Sequence, residues 1–464
     1  MGQLKSATLK NASQAVLKSY TYDYDGAGNR TLEAIDSLVT GDTLNNLNQL
    51  TSRQGGTGVM PIRGTTNESS TVTVNGSPAS VKADNTFEGK AAVTAGNNTV
   101  TVVATDVNSN TTTNRYNVAV TGSGSKTLVY DANGNLTGDG TRTFEWDPMN
   151  RLTGVNSGTN RSEFTYNGLS QRVKIVEKTN GSVTSTKQLV WCPGDAQPCE
   201  ERDASNNVTK RYYVQGMQIG TTNYYYTRDH LGSLRELTNG SGTVQTRYDY
   251  DSYGRRTKIS GTLDADFGFT GYYYHQPSGL NLALYRAYDV DLGRWLSRDP
   301  FEEGDGPNVY AYVGNDPISR WDRFGLEGAP DFREKFWAVF ETGYATARTG
   351  YALAQRSSRE AQRSGLPGPL NGPQDAYRHC IWSCLMAQNL GEGSAKAIAD
   401  NHENRNDRAG QSAQERKMDE ANNAAGRRCG KDSEDKSSCE DKCRGLLNSG
   451  NLYGLGGAPM SPPR

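Results

Sequence analysis

The stretch "YDANGNLTGDGTRTFEWDPMNRLTGV" (residues 130–155) sets a Tyr-Asp pair before a Gly-containing turn and then returns to a β-prone run. That order is the signature of a hairpin. The phrase recurs as "YDYDGAGNRT" (22–31) and "YDYDSYGRRTK" (248–258), and "FTYNGLSQRVKIV" (164–176) extends it with apolar alternation at Val173 and Ile175. One supersecondary unit repeated along a chain predicts stacked strands. Composition agrees: 25 Tyr and 52 Gly stand against 10 Phe and 7 Met, and up to about residue 326 the sequence is built from strand and turn formers.

Residues 63–122 interrupt the array. "STVTVNGSPASVKADNTFEGKAAVTAGNNTVTVVATDVNSNTTTNRYNVAV" has short alternating strands and an Asn75-Gly76 turn, and it resembles a small bacterial immunoglobulin-like sandwich. Its expected role is structural or adhesive.

The Tyr-Asp phrases resemble the YD repeats of the Rhs family. The likeness strengthens in "DHLGSLREL" (229–237) and in "GLNLALYRAYDVDLGRWLSRDPFEEGDGPNVYAYVGNDPISRWDRFGL" (279–326), which resemble the Rhs-associated core. The resemblance covers about 1–62 and 123–326. It implies a multidomain chain: a β-rich YD-repeat shell, part of a β-cocoon, over 1–62 and 123–228, with the Ig-like sandwich at 63–122 inserted in it. A core with a self-cleavage motif follows at 229–326. A chain that opens in mid-repeat is expected to be a C-terminal fragment, or a short orphan cassette, of a longer Rhs protein.

Within the core, Asp299 and Asp322 sit in the near-repeated settings "RDP" and "WDR". Two carboxylates held close cannot both ionise cheaply, so one serves as base toward water and the other as acid toward the scissile carbonyl. The resemblance implies self-cleavage at the end of the family's DPxGL motif, which here means after Leu326. That motif reads "DRFGL", with Arg323 in place of Pro. Arg298 is expected to orient the pair through a charge-assisted bond. The competing reading is that both Asp residues only close turns.

Residues 327–464 differ in character: Ala, Glu, Arg and Gln replace Tyr and Thr, and 18 acidic side chains face 19 basic ones. The segment is read as a small all-α domain. "DFREKFWAVFETGYATA" places Phe332, Phe336, Val339, Phe340 and Tyr344 on one face, and helices are expected at 392–404, 411–428 and 438–448. A further helix follows the Gly/Pro break at 364–373, with Asp375 at its start.

Five of the seven Cys lie here. "CIWSC" and "CEDKC" each put two Cys at i, i+4 on one helix face. Antiparallel packing would allow Cys380 to pair with Cys443 and Cys384 with Cys439, with Cys429 left over; zinc binding or plain buried thiols are the alternatives. Cys192 and Cys199 would close a loop by the same logic. Disulfides would place the domain's work in a periplasm or outside cells.

"DAYRH" (375–379) sets Asp375 and Arg378 beside His379, "NHENR" supplies His402 and Glu403, and "MDEANNAAG" supplies Asp419, Asn422 and Asn423. A small bundle can bring three such clusters together, and a His base oriented by a carboxylate, or a metal held by both, suits hydrolysis. The pattern resembles an uncharacterised domain at the C-termini of Rhs and wall-associated proteins. A weaker likeness to phospholipase A2 fails where that family's Asp after the His is Cys380 here.

These readings imply a secreted antibacterial toxin whose released domain hydrolyses an envelope component, phospholipid or peptidoglycan. A nuclease is the alternative, weakened by the near-neutral charge, and a pore-forming or binding toxin is the third. A cognate immunity protein and a contact-dependent apparatus such as type VI secretion are the expected partners. The cofactor and any metal stay open. The whole chain carries 50 basic and 51 acidic residues, so no global field draws it to nucleic acid or to an anionic membrane. No run of about 18 apolar residues marks a membrane span, and no apolar stretch marks a secretory signal. "MGQLKS" meets the loose myristoylation pattern with Ser6 at its last place, a weak signal.

Overall fold

The computed structural model describes residues 2–192, 197–300, 308–326, 344–408, 412–431, 438–455 and 459–460. The chain divides into two compact units, one built from 1–165 and 172–328 and the other dominated by 329–464.

Among its described residues the first unit is built of β-strands, with two single-turn 3-10 helices at Phe269–Gly271 and Val313–Asn315. A fourteen-stranded antiparallel sheet runs from Val129–Tyr130 to Arg256–Gly261, with every strand beside its neighbour in sequence. A six-stranded sheet begins at Ser6–Lys10, passes through Leu50–Gly55 and ends on Ser125–Thr127.

The repeated phrase encodes one turn. In "YDYDGAGNR" the Asp25 Oδ1 accepts the N–H of Ala27 at 3.0 Å and of Asn29 at 2.8 Å. Asp131, Asp147, Asp203, Asp229 and Asp251 do the same two and four residues on. The residue three after each Asp is left-handed, as at Gly134 (φ 84°), Gly254 (φ 92°) and Asn206 (φ 68°), which is why Gly or Asn recurs there.

In sequence the sandwich is inserted between the last two strands of the six-stranded sheet, Leu50–Gly55 and Ser125–Thr127. Thr57–Thr65, Thr86–Thr94 and Ser80–Val81 form one layer; Thr111–Val120, Gly96–Asp106, Ser70–Val74 and Ser77–Pro78 form the other. Val72, Val74, Ala91, Val100 and Val102 fill the space between them. The inserted element therefore starts at Thr57 rather than at residue 63. The strand "TGVMPIRGT" carries Pro61 and two Gly, which break the alternation that marks its neighbours.

The start of the core also shifts. Residues 229–261 supply three more strands of the large sheet, because "DHLGS" is another of the Asp turns. Beyond Gly261 the chain changes to a four-stranded sheet, Tyr273–His275, Leu280–Leu282, Ala287–Asp289 and Arg294–Trp295. Its core is aromatic: Phe269, Tyr272, Tyr288, Trp295 and Tyr312 are all buried together. Glu33 ties the six-stranded sheet to the large one. Its carboxylate meets Arg30, Arg53 and Arg255 at 3.3, 2.8 and 2.6 Å, and it is 3% exposed.

The second unit has five helices among its described residues: α1 (Tyr344–Arg363), α2 (Pro373–Leu390), α3 (Glu392–Arg408), α4 (Ala413–Lys431) and α5 (Cys439–Asn448). Two short strands, Leu452–Tyr453 and Pro459–Met460, qualify the all-α expectation. The aromatic helix expected at 331–344 lies, but for Tyr344, outside the described residues.

Helix α2 is central, which its sequence explains: from Ala376 to Ala387 all but Arg378 are buried. Pro373 opens it at a position where a missing N–H costs nothing. Two disulfides join it to α5, Cys380–Cys443 and Cys384–Cys439, with Cα–Cα separations of 5.9 and 5.8 Å. A third, Cys192–Cys199, lies in the β-unit, and Cys429 is half-buried on α4. No described helix is long and apolar enough to cross a membrane.

Candidate functional sites

Asp299 and Asp322 come together in the β-unit around one guanidinium. Arg286 Nη2 lies 2.8 Å from Asp299 Oδ2 and 3.0 Å from Asp322 Oδ2, and all three residues are buried. The second oxygen of Asp322 accepts the N–H of Gly325 at 2.8 Å and of Leu326 at 2.9 Å. Arg286 also donates from Nε to the Gly325 carbonyl, and the Tyr272 hydroxyl donates to the Asp322 carbonyl. The segment 322–326 is thus fixed at both its carboxylate and its backbone, with Leu326 fully buried.

Arg298 is not part of this arrangement. Arg298 is exposed while Asp299 beside it is buried, and its stem lies against Gly134. Arg286, which orients the pair, was missed. It sits thirteen residues before Asp299 in "LYRAYD", and no local pattern ties it to either carboxylate. Arg323, which stands where the family motif has Pro, is exposed and lies 5.4 Å from the Phe324 ring centre, so the longer side chain needs no room inside.

In the helical unit, α2, α3 and α4 bring Asp375, His379, Glu403, Asp419 and Asn423 into one buried cluster, with the partly exposed Arg378 at its edge. His379 Nε2 is 3.2 Å from Asp419 Oδ1 and 3.8 Å from Asp375 Oδ1. Arg378 Nη2 stands between, 2.6 Å from Asp375 Oδ1 and 2.9 Å from His379 Nε2.

A guanidinium can only donate, so Nε2 is the acceptor nitrogen of the ring and Nδ1 carries the proton. Nδ1 accordingly donates to Asn423 Oδ1 at 3.3 Å. Asn423 is held in turn by Ser383 Oγ, which donates to the same oxygen at 2.9 Å, and by its own amide, which donates to Glu403 Oε1 at 3.0 Å. The imidazole is therefore oriented by Asn423 and Glu403, while its lone pair faces Asp375 and Asp419. Ser383, four residues after His379 on the same helix face, was legible in the spacing but not singled out.

Burial, helped by the charges of Arg378 and His402, holds the His379 imidazolium well below its ordinary range. Burial and the neighbouring carboxylates of Glu403 and Asp375 push Asp419 up to about 8. At neutral pH a protonated carboxyl and a neutral imidazole thus face each other.

His402 stands to one side, half-buried. Its ring centre is 6.2 Å from that of His379 and it meets Trp382 edge-on at 5.3 Å. Asn422 serves the fold instead, fastening α4 to the chain beyond α5. Its side chain donates to the Tyr453 carbonyl and accepts the Tyr453 N–H, both at 2.9 Å.

Two family models match the chain. Residues 333–449 match a domain of unknown function (DUF6973), and residues 48–122 match glucodextranase domain B. Among curated proteins, tRNA nuclease WapA of Bacillus subtilis (strain 168) is 29% identical over 202 residues, which span 40% of this chain and 8% of WapA. Double-stranded DNA deaminase toxin A of Burkholderia cenocepacia (strain H111) is 31% identical over 111 residues, 23% of this chain and 8% of the toxin. Toxin protein Tse5 of Pseudomonas aeruginosa is 32% identical over 102 residues, 22% and 8% of the two chains. The matched region is thus a small fraction of each of these relatives. Among solved structures, the crystal structure of TcdB2-TccC3-TEV has a TM-score of 0.36 at 17% identity, covering 69% of this chain and 18% of that one. Toxins are prominent among the proteins this chain is similar to.

Proposed function

We propose that the chain is part of a secreted Rhs-type toxin that cuts itself after Leu326 and frees residues 327–464 as an antibacterial effector. The observation that carries the reading is the hold of Asp322 on the amides of Gly325 and Leu326 while Arg286 bridges it to Asp299. An acid pair attached to the strand it is to cut reacts at high effective concentration. One carboxylate takes a proton from water as it adds to the Leu326 carbonyl. The other gives a proton to the amine of Glu327 as the C–N bond breaks. A turn-closing role for Asp322 would explain the amide bonds but not a second buried carboxylate on the same arginine.

The freed domain acts as a hydrolase, with water activated on the Nε2 side of His379 where Asp375 and Asp419 converge. Its target is an envelope component, phospholipid or peptidoglycan. The two disulfides within the domain support this, because such bonds persist in oxidising compartments. A nucleic-acid target is the second reading, favoured by the relatives named as a tRNA nuclease and a DNA deaminase. The alignment to WapA is too long to lie wholly within 327–464, so it extends beyond the effector. A cognate immunity protein in the producing cell and a contact-dependent delivery apparatus follow from the toxin reading.

Two experiments test it. Expression of the full chain should give fragments whose junction is Leu326/Glu327 by N-terminal sequencing, and Asp299→Asn or Asp322→Asn should leave the chain intact. Residues 327–464 expressed with a periplasmic signal should be toxic, and His379→Ala should abolish that. Toxicity confined to the cytosolic form would move the target to nucleic acid.

A further inference from the structure

We propose that Asp375, His379 and Asp419 form a binding site for one divalent transition-type cation, such as Mn²⁺ or Zn²⁺, and that the Arg378 guanidinium is the displaceable cation that fills the site in the ion's absence. The site is the one assigned above to the effector, but the inference concerns binding and does not rest on hydrolysis.

The donor atoms converge. One oxygen from each carboxylate and an imidazole nitrogen lie within 4.8 Å of one another, and all three residues are buried. They come from two helices, Asp375 and His379 one turn apart on α2 and Asp419 on α4. The imidazole is already in the tautomer a metal requires: its lone pair faces the two carboxylates, and its Nδ1–H is bound to Asn423, itself fixed by Ser383 and Glu403. A ligating His whose far nitrogen is oriented by a second layer of hydrogen bonds is the usual arrangement at metal centres.

The side chain now supplying positive charge is the least buried of the group. Arg378 is 34% exposed, while His379 and Asp375 are 1% and 3% exposed. Its Nη2 touches two of the three donors. With a third of its side chain exposed, Arg378 can swing outward and open a path for an ion. Two oxygens and one nitrogen suit a first-row transition ion better than Ca²⁺, which takes six to eight oxygens. Three protein donors leave a coordination position for water.

The test uses the full chain, stripped with EDTA and titrated calorimetrically with Mn²⁺ and with Zn²⁺ alone, with Ca²⁺ as contrast. The expected result is one ion per chain. Affinity should fall roughly tenfold or more in Asp419→Asn and in His379→Ala. It should rise in Arg378→Ala, which removes the competitor without touching a donor. Circular dichroism of each variant identifies any that fails to fold, and Asp375→Asn then replaces it. Absence of stoichiometric binding in both wild type and Arg378→Ala overturns the proposal, as does binding unchanged by Asp419→Asn. A domain that is toxic yet binds no ion would sink this inference and leave the effector reading standing. Ion binding without toxicity would do the reverse.

Discussion

Arg286 and Asp322 form a closed pair in which the guanidinium meets the carboxylate at 3.0 Å and also donates to the carbonyl of Gly325, three residues further along the carboxylate's own turn. The same nitrogen holds Asp299 at 2.8 Å. Both carboxylates therefore depend on one cation taken out of water.

Arg286→Met should block self-cleavage and destabilise the β-unit by about 3–5 kcal/mol, because it removes the cation that compensates two buried carboxylates. Asp299→Asn removes one carboxylate but keeps a hydrogen-bonding side chain there. It should stay folded and uncut. Gel analysis of processing beside thermal melts separates the two effects, and an Arg286→Met chain cut at the wild-type rate would remove the arginine from the site.

Gly426 on α4 is packed so closely on α2 that an added Cβ would lie 2.2 Å from the Cys380 carbonyl oxygen, and at Gly430 the corresponding distance to the Cys384 carbonyl oxygen is 2.3 Å. Backbone cannot yield as a flexible side chain does. Gly426→Ala should cost about 3 kcal/mol by forcing the helices apart, although Ala is the better helix former. Separation of α2 and α4 would also draw Asp419 from His379. Urea unfolding should show the loss, and a neutral or stabilised variant would refute the close contact.

The repeat and its turn were legible because they are local: an Asp, two free positions, a Gly or Asn and a return strand fit within one hairpin. The i, i+4 Cys pairs and the polar groups on three helices were legible for the same reason, since helical spacing places a side chain on a face. Long-range partners were not. Arg286 reaches Asp322 across 36 residues, and nothing near it in sequence marks it. The boundaries at 63 and 229 slipped because Pro61 and two Gly disguise a strand, and because a turn in "DHLGS" that opens three more strands of the large sheet was read as the start of the core.

The two disulfides between α2 and α5 close loops with separations of 63 and 55 residues. By chain entropy alone, one such link stabilises by about 4 kcal/mol, and the second adds less because the two are nested. Cys380→Ser/Cys443→Ser should lower the melting temperature of the helical unit, and dithiothreitol should lower it further. A melting curve indifferent to reductant would remove the support for an oxidising site of action.

Burial would raise the pKa of Glu33, but the guanidiniums of Arg30, Arg255 and Arg53 overcome it and hold the carboxylate down at about 2, against an ordinary 4.5. A carboxylate depressed in the folded state stabilises fully above its unfolded pKa, and that contribution is lost as pH falls through the folded value. The β-unit should therefore lose stability between about pH 4.5 and 2. Glu33→Gln removes the titrating group and strands three arginines, so it should be less stable by about 3 kcal/mol at neutral pH. Its disadvantage should shrink across the same window as the wild-type carboxylate takes up its proton. Melting temperatures of the two chains at several pH values measure the difference. A gap that stays constant down to pH 2 would show that Glu33 does not hold the two sheets together by its charge.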